Sequence, residues 1–281
     1  MAQGRWPWAL AVASLIAAAA GLGVGYLAWG VPTNWYAKNI DDAPAGETGD
    51  LVRYGHALIV DTSEHIGKDA SDPALRYAGN DLACVNCHLN AGLQPFAAPF
   101  VSTFTSFPML VDDQVITLPE RINGCMQRSL NGKKLPIGGR ELEAFIAYIK
   151  FLGEGTPDGV RVPGMGLLPL ADPKLGPDAA RGEKVYAAHC ATCHKDDGQG
   201  ERKPSPVAGY VVPPLWGDDS FNSAAGMAKL ASAAAYIRAN MPLGVTYQDP
   251  VLSEQDAWDV AAYMIGKPRP EASAAVAAEP H

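Results

Sequence analysis

Apolar residues recur at helical spacing in two separate parts of the chain. They lie at i, i+3, i+4 and i+7 in the runs Leu142, Phe145, Ile146, Ile149 with Leu152, and Trp258, Ala261, Ala262, Ile265. This period is that of an amphipathic helix with one buried face. Ser253 and Asp256 before the second run are typical of a helix start. We therefore predict one helix at the end of each of two similar units.

Two further helices are predicted upstream, over residues 51–66 and 177–188. Residues 153–177 between the units are rich in Gly and Pro and have little periodicity, so they are predicted to be a linker. Alternating strand patterns do not exceed a few residues, which favours an all-α fold. The Ala/Pro/Glu-rich tail 268–281 is predicted to be disordered.

The longest apolar stretch lies at the N-terminus. From Trp6 to Trp29 the chain has 24 residues without a charge, and Arg5 is the only charged residue before them. As a helix this stretch would be about 36 Å long, enough to cross a hydrocarbon core of about 30 Å. Aromatic residues at both ends fit the two membrane interfaces. Residues 1–30 are thus predicted to be an uncleaved anchor.

A cleaved signal peptide is the alternative, because Ala18-Ala19-Ala20 offers a small-residue cleavage site. In both cases the rest of the chain is exported. We expect it on the periplasmic side of a bacterial inner membrane, anchored, or soluble in the periplasm after cleavage. The formal net charge of −8 argues against nucleic acid as a partner.

The sequence CxxCH occurs once in each unit, as Cys84-Val-Asn-Cys87-His88 and Cys190-Ala-Thr-Cys193-His194. Two thiols at this spacing form thioethers to haem vinyl groups, and the adjacent His binds the iron. A disulfide in each pair, or one Zn²⁺ held by both pairs, are the alternatives. Neither needs a His after the second Cys, so two covalently bound haem c groups are predicted.

The motifs complete the predicted organisation as two class I cytochrome c-like domains in tandem. The segments are an anchor (1–30), a spacer (31–47), an N-terminal cytochrome c domain (48–155), a linker (156–176), a C-terminal cytochrome c domain (177–267) and the tail (268–281).

The second iron ligand of the C-terminal haem is predicted to be Met241. It lies 47 residues after His194 at the end of a helix and is followed by Pro and Gly. His/Met ligation raises the haem potential and suits electron transfer. Met227 and Met264 are the rivals, but one lies close to a helix start and the other within the closing helix.

The fifth cysteine takes the corresponding place in the N-terminal unit, 37 residues after His88. Thr117-Leu-Pro-Glu120 is a capping box, and it starts a helix that is predicted to run to about residue 130. Arg121, Cys125 and Ser129 follow at i, i+4 and i+8, with Arg128 on the same face. A buried structural thiol is the alternative to ligation or catalysis by Cys125. A spare thiol in an exported protein is prone to oxidation, which favours a functional role.

Positive charge is concentrated around this cysteine. Residues 121–140 contain no acid and five cations: Arg121, Arg128, Lys133, Lys134 and Arg140. The rest of the chain carries 17 cations (22 − 5) against 30 acids. Arginine side chains bind oxyanions in a bidentate manner. The segment therefore predicts a site for a small anion beside Cys125. A solvated surface loop is the alternative, and it is favoured for Lys133 and Lys134 but not for Arg121 and Arg128, which share the face of the cysteine.

The sequences ACVNCHLNAG (from Ala83) and ERINGCMQRSLNG (from Glu120) resemble the dihaem thiosulfate dehydrogenases, and the likeness covers roughly residues 48–267. The resemblance implies oxidation of two thiosulfates to tetrathionate at a haem ligated by His88 and Cys125. It also implies that Arg121 and Ser129 line the substrate pocket and that the second haem relays electrons. A small cytochrome c or a membrane oxidase is the expected acceptor.

Two other functions stay open at this stage. A membrane-tethered dihaem electron carrier without catalysis would need no anion site. A haem subunit of a larger sulfur-oxidising complex would carry on Cys125 a substrate made elsewhere. The sequence also leaves open the direction of catalysis between thiosulfate and tetrathionate.

Overall fold

Helices dominate the computed structural model, which describes residues 38–111 and 113–279. Within this part of the chain the α-helices are α1 (Glu47–Val60), α2 (Thr62–Ile66), α3 (Leu89–Gly92), α4 (Leu118–Arg128), α5 (Arg140–Gly153), α6 (Ala179–His189), α7 (Ala191–His194), α8 (Leu230–Asn240), α9 (Glu254–Ile265) and α10 (Ala274–Ala277). Five 3-10 turns accompany them, at Ile40–Asp42, Pro73–Leu75, Cys84–Asn86, Phe104–Ser106 and Gly226–Ala228.

Two small antiparallel hairpins complete the secondary structure. Strands β1 (Met109–Val111) and β2 (Gln114–Ile116) pair with Met109 opposite Ile116. Strands β3 (Glu201–Arg202) and β4 (Tyr210–Val212) form the other hairpin, with a register shift between Glu201 and Arg202. Strands of two or three residues are too short to produce an alternating pattern, so the sequence gives no sign of them.

The predicted helices are present with small differences in their limits. The prediction of one helix over 51–66 is wrong in detail, because α1 begins at Glu47 and the chain breaks at Asp61 before α2. Helix α6 starts at Ala179 because Asp178 accepts a hydrogen bond from the Arg181 amide as N-cap. The Ser253/Asp256 start of α9 is confirmed as a full capping box.

We refer to residues 48–155 as the N-terminal half and to residues 177–267 as the C-terminal half. In each half the first helix packs against the closing helix, α1 on α5 and α6 on α9. A glycine allows each crossing: a Cβ at Gly55 or at Gly182 would lie 2.0 Å from the Ala144 or Asp259 carbonyl oxygen respectively. The sequence repeat therefore extends to the way the helices cross.

The apolar faces predicted for the closing helices form the core. Leu142, Phe145, Ile149 and Leu152 of α5 are buried, and so are Trp258 and Ala261 of α9. These side chains belong to one hydrophobic cluster that includes residues of both halves.

A charged network joins the halves. Asp219 of the C-terminal half pairs with Lys68 at 2.9 Å and with Arg202 at 2.8 Å. Asp81, just before the first CxxCH motif, pairs with the same two cations at 3.0 and 2.8 Å. Tyr210 also donates to Asp219 over 2.6 Å. Two carboxylates and two cations thus hold the region of the first motif against the β3–β4 hairpin.

The tail folds back over the N-terminal half. Helix α10 contacts α4, and Glu279 forms an ion pair with Lys134 at 2.7 Å. Helix α10 and Glu279, in the segment for which the sequence predicts disorder, therefore pack beside the helix that carries Cys125 or its basic segment.

The described residues contain no helix long and apolar enough to cross a membrane. The predicted anchor, residues 1–30, lies outside the described residues.

Candidate haem and sulfur site

A cavity of about 480 Å³ lies in the N-terminal half between the first CxxCH segment and α4. Cys84, Cys87 and His88 line one side of it, and Cys125 also lines it. Most of the remaining wall is apolar. The structure therefore brings the first motif and the fifth cysteine together around one space, as a flat, largely hydrophobic macrocycle requires.

The ring of His88 is fixed by its backbone surroundings. Its Nδ1 donates to the carbonyl oxygen of Ala98 over 2.6 Å, which leaves Nε2 for the hydrogen bond to Cys125 or, in its place, for a metal. Phe100 packs against the imidazole with ring centroids 4.5 Å apart. Gly92 has φ +86°, and a Cβ there would lie 2.0 Å from the Phe100 ring. The glycine four residues after His88 thus makes room for the ring that supports the histidine.

Helix α4 positions the residues opposite. Its predicted capping box is confirmed, because Thr117 Oγ1 accepts from the Glu120 amide at 3.4 Å and Glu120 accepts from the Thr117 amide at 2.7 Å. Arg121, Cys125 and Ser129, one turn apart on this helix, all line the cavity. Met126 lines it too and is buried.

The sulfur of Cys125 differs electrostatically from those of the CxxCH pair. Burial raises the pKa of Cys84 to about 12 and that of Cys87 to about 11. Burial also opposes ionisation of Cys125, but a hydrogen bond from His88 and the charges of Arg121 and Arg128 lower its pKa to about 7. Nearby cations favour the thiolate, which is the form that binds iron and acts as a nucleophile.

Arg128 does not line the cavity, although the sequence places it on the face of Cys125. Its side chain is 4% exposed and lies against Gly124, where a Cβ would be 2.5 Å from Nη2. Burial lowers its pKa, and the Cys125 sulfur acts in the opposite direction. The space beside Gly124 is therefore taken by a guanidinium.

The sequence does not predict several residues of the cavity wall. Phe221 and Met227 line the cavity from the C-terminal half, and Met165 lines it from the linker. Met227, a rival of Met241 in the sequence, thus lies in the wall of the first cavity. Their approach depends on how the halves dock, and no local pattern in the sequence carries that information.

The second motif begins at Cys190, between α6 and α7, and its remaining residues form α7. His194 Nδ1 donates to the Pro213 carbonyl oxygen over 3.0 Å, the same type of contact that orients His88. Burial lowers the pKa of this histidine. Cys190 is half-buried and Cys193 is exposed. Met241 follows α8 as its C-cap, is half-buried, and packs against the core.

An unpaired cation lies three residues before Met241. Nε and Nη1 of Arg238 are buried and have no hydrogen-bond partner. A buried guanidinium without a partner is costly, and a carboxylate would satisfy it. Haem c carries two propionates, so the donor set of α8 fits this group, as the cavity lined by Cys84, Cys87 and His88 does in the N-terminal half.

Neither alternative for the CxxCH cysteines, a disulfide in each pair or one shared Zn²⁺ site, is present among the described residues. All five cysteines are free thiols. Within residues 38–111 and 113–279, no three His, Cys, Asp or Glu side chains come together in a way that could hold a metal ion.

The relatives found by comparison with known proteins agree with one another. Residues 179–266 match the family described as cytochrome c. A thiosulfate dehydrogenase from Stutzerimonas stutzeri (strain A1501) is 40% identical over 232 residues, which cover 82% of this chain and 71% of the relative. A thiosulfate dehydrogenase from Allochromatium vinosum is 37% identical over 267 residues, which cover 92% and 94% of the two chains.

A solved structure shares the fold. The thiosulfate dehydrogenase TsdBA from Marichromatium purpuratum, in its as-isolated form, superposes with a TM-score of 0.73 at 36% identity. The match covers 82% of this chain but 48% of that one, so this chain spans about half of the solved protein. The helix-rich cytochrome c fold is thereby confirmed. With these relatives matched over most of its length, the chain belongs to the thiosulfate dehydrogenase family of oxidoreductases.

Proposed function

We propose that the protein oxidises two thiosulfate ions to tetrathionate and passes two electrons to an external acceptor. The relatives are named thiosulfate dehydrogenases, which supports thiosulfate as the substrate. The observation that carries the proposal is the position of Cys125. Its sulfur lines the same cavity as His88, and Arg121 and Ser129 line that cavity beside it.

Arg121 and Ser129 bind the anion. Thiosulfate is a dianion whose sulfonate oxygens accept hydrogen bonds from a guanidinium and a hydroxyl. Arg121 is exposed at the cavity, whereas the buried Arg128 acts from behind Gly124 through its charge. Both cations offset the negative charge of the substrate next to a thiolate.

Cys125 forms the transient bond to sulfur. The Cys125 thiolate and the sulfane sulfur of one thiosulfate join in an S–S bond, which releases two electrons and no proton. The sulfane sulfur of a second thiosulfate then attacks the sulfane sulfur of this adduct. Tetrathionate leaves, and Cys125 returns to the thiolate. The same steps in reverse describe tetrathionate reduction.

Two haem c groups complete the proposal. His88 with Cys125, and His194 with Met241, would hold the irons, while Cys84, Cys87, Cys190 and Cys193 would form the thioethers. When bound, each group supplies a centre that accepts one electron at a time. The halves 48–155 and 177–267 correspond to the two proposed domains.

The location and the acceptor belong to the same proposal. Residues 1–30 anchor the chain to the inner membrane, and the haem-binding part lies in the periplasm. A small cytochrome c or a membrane oxidase takes the electrons. Mass spectrometry of the mature protein is the test of the anchor: a chain that starts near Gly21 would exclude it.

One assay tests the chemistry. Purified holoprotein is mixed with thiosulfate and ferricyanide, and tetrathionate is measured. We expect formation of tetrathionate that is lost in Cys125→Ala. If Cys125→Ala keeps full activity, the thiol has no catalytic role. If the wild-type protein forms no tetrathionate but is reduced by another donor, it is a dihaem electron carrier.

A further inference from the structure

The helix that carries Cys125 ends in an unusual environment. An α-helix leaves its last four carbonyl groups without partners inside the helix. At the end of α4 the Gly132 amide donates to the Met126 carbonyl over 2.9 Å, so this carbonyl has a partner close by in the chain. The next two carbonyls, of Gln127 and Arg128, receive no such local partner. Both accept hydrogen bonds from a single residue of the C-terminal half.

That residue is Asn222. Its side-chain Nδ2 donates to the Gln127 carbonyl over 2.9 Å. Its backbone amide donates to the Arg128 carbonyl over 3.1 Å. Asn222 is itself buried, at 5% exposed. One buried residue therefore satisfies two of the terminal carbonyls of α4, two and three positions after Cys125.

Asn80 completes the end of the helix from the other side. Its Nδ2 donates to the Ser129 carbonyl at 2.9 Å and to the Ser220 carbonyl at 3.2 Å. Asn80 is fully buried and lies four residues before Cys84. The first CxxCH segment, the end of α4 and the loop at residues 219–222 of the C-terminal half thus share one buried hydrogen-bond network.

Contacts of Asp219 and Phe221 fix the position of the loop at residues 219–222. Asp219 belongs to the charged network with Lys68 and Arg202. Phe221 lines the cavity, and the Arg269 guanidinium lies 4.4 Å from the centre of its ring. The loop is therefore both a wall of the first site and an anchor for the helix opposite His88.

We infer that Asn222 is a positioning residue for Cys125: by holding the C-terminal end of α4, it sets the place of the sulfur in the cavity. The inference rests on the proposed role of Cys125 as a ligand of the first iron. It assigns to the C-terminal half a part in building the first haem site, in addition to electron transfer.

The decisive variant is Asn222→Asp. It has nearly the same shape and keeps the oxygen that accepts from the Ala224 amide at 3.1 Å. It replaces the group that donates to Gln127 by a second acceptor, so the side-chain donation to α4 is lost. It also adds a negative charge, for which the uncharged Asn222→Ala is the control. Ser223→Ala is the matched control, because Ser223 lies in the adjacent position and bonds Glu271 rather than α4.

The readouts are the ferric low-spin EPR spectrum of the holoprotein and the midpoint potential of each haem. In Asn222→Asp we expect the thiolate component of the EPR spectrum, which depends on Cys125, to decrease. The midpoint potential of the haem in the N-terminal half should shift, while the haem in the C-terminal half keeps its spectrum and potential. We expect kcat for thiosulfate to fall roughly ten- to a hundredfold, as for a misplaced catalytic group. Ser223→Ala should match the wild type in every readout.

Three outcomes overturn the inference. The first is an unchanged thiolate component in Asn222→Asp. The second is an equal change at both haems, which would indicate that the substitution loosens the whole protein and not the first site alone. The third is failure of both Asn222→Asp and the uncharged Asn222→Ala to yield folded holoprotein, which would assign the contact to stability. Failure of the proposed function looks different, since the wild-type spectrum would then lack any component that Cys125→Ala removes.

Discussion

The Arg128 guanidinium occupies the space that a side chain on Gly124 would need, with Nη2 2.5 Å from the position of a Cβ. Alanine is normally better than glycine inside a helix by about 1 kcal/mol. We nevertheless expect Gly124→Ala to lower thiosulfate oxidation, because the methyl group displaces the flexible end of Arg128 from its place beside Cys125. Steady-state kinetics with thiosulfate measure the effect.

The double variant supplies the control for this prediction. In an Arg128→Ala background the methyl group meets no guanidinium, so Gly124→Ala should leave the remaining activity unchanged. It should there raise the melting temperature. Independent, multiplying effects of the two substitutions on kcat/KM would show that Gly124 acts by another route.

Gly92 supports His88 through Phe100. Gly92→Ala places a methyl group 2.0 Å from the Phe100 ring at a residue with φ +86°. We expect the phenyl ring to leave the imidazole and the haem content of the N-terminal half to fall. Haem per polypeptide, measured as the pyridine haemochrome, and peptide mapping of each CxxCH motif give the result.

Gly138→Ala separates the effect of contact with Phe100 from the effect of backbone strain. Gly138 also has a left-handed φ of +74°, but nothing lies within 4 Å of a Cβ there. This control carries only the backbone strain, about 1–2 kcal/mol. Equal haem loss in both variants would mean that contact with Phe100 is irrelevant.

Arg121 is expected to bind the sulfonate directly. A charge-assisted hydrogen bond contributes about 1.5–3 kcal/mol, so Arg121→Gln should raise KM for thiosulfate roughly ten- to a hundredfold. Lys133→Gln removes a positive charge from the same basic segment, but this residue lies over the ring of Tyr77 and does not line the cavity. The role of Arg121 fails if both variants change KM equally.

The network at Asp219 makes stability depend on pH. Burial opposes ionisation of this carboxyl, but the hydrogen bond from Tyr210 and the charges of Lys68 and Arg202 hold its pKa below the usual value. The unfolded chain therefore binds the proton more readily, and stability rises with pH. We expect this contribution to be complete above about pH 4 and to disappear as the pH falls through the lower folded pKa.

Asp219→Asn tests this dependence. Chemical unfolding at several pH values should show a loss of roughly 1–3 kcal/mol at neutral pH and a flatter profile in acid. Asp50→Asn, which removes an exposed i,i+3 pair with Arg53, should cost less than about 1 kcal/mol. Identical acid profiles for Asp219→Asn and the wild type would refute the role of Asp219.

The sequence was most informative where the determinants are local. The Thr117/Glu120 capping box and the spacing from Arg121 to Cys125 and Ser129 depend on neighbouring residues, and the structure places these three side chains around one cavity. Helix-period patterns likewise located α5 and α9. Short-range geometry of this kind follows from the amino-acid order alone.

The remaining features arise from contacts between distant residues. Arg128 lies on the expected face of α4, but its packing against Gly124 depends on rotamer and burial. Phe221, Asn222 and Met227 reach the N-terminal half only after the halves have docked. A single sequence carries no pattern that pairs residues about 95 positions apart, as in the bond from Asn222 to Gln127.

The end of α4 also bears on how such a protein can evolve. Recombination exchanges parts of a protein most easily when those parts make few specific contacts with the rest. Here a transplanted C-terminal half would have to bring an amide donor in register with the Gln127 and Arg128 carbonyls. A replacement without that donor would leave both carbonyls without their present partner, so each half constrains which sequences the other half tolerates.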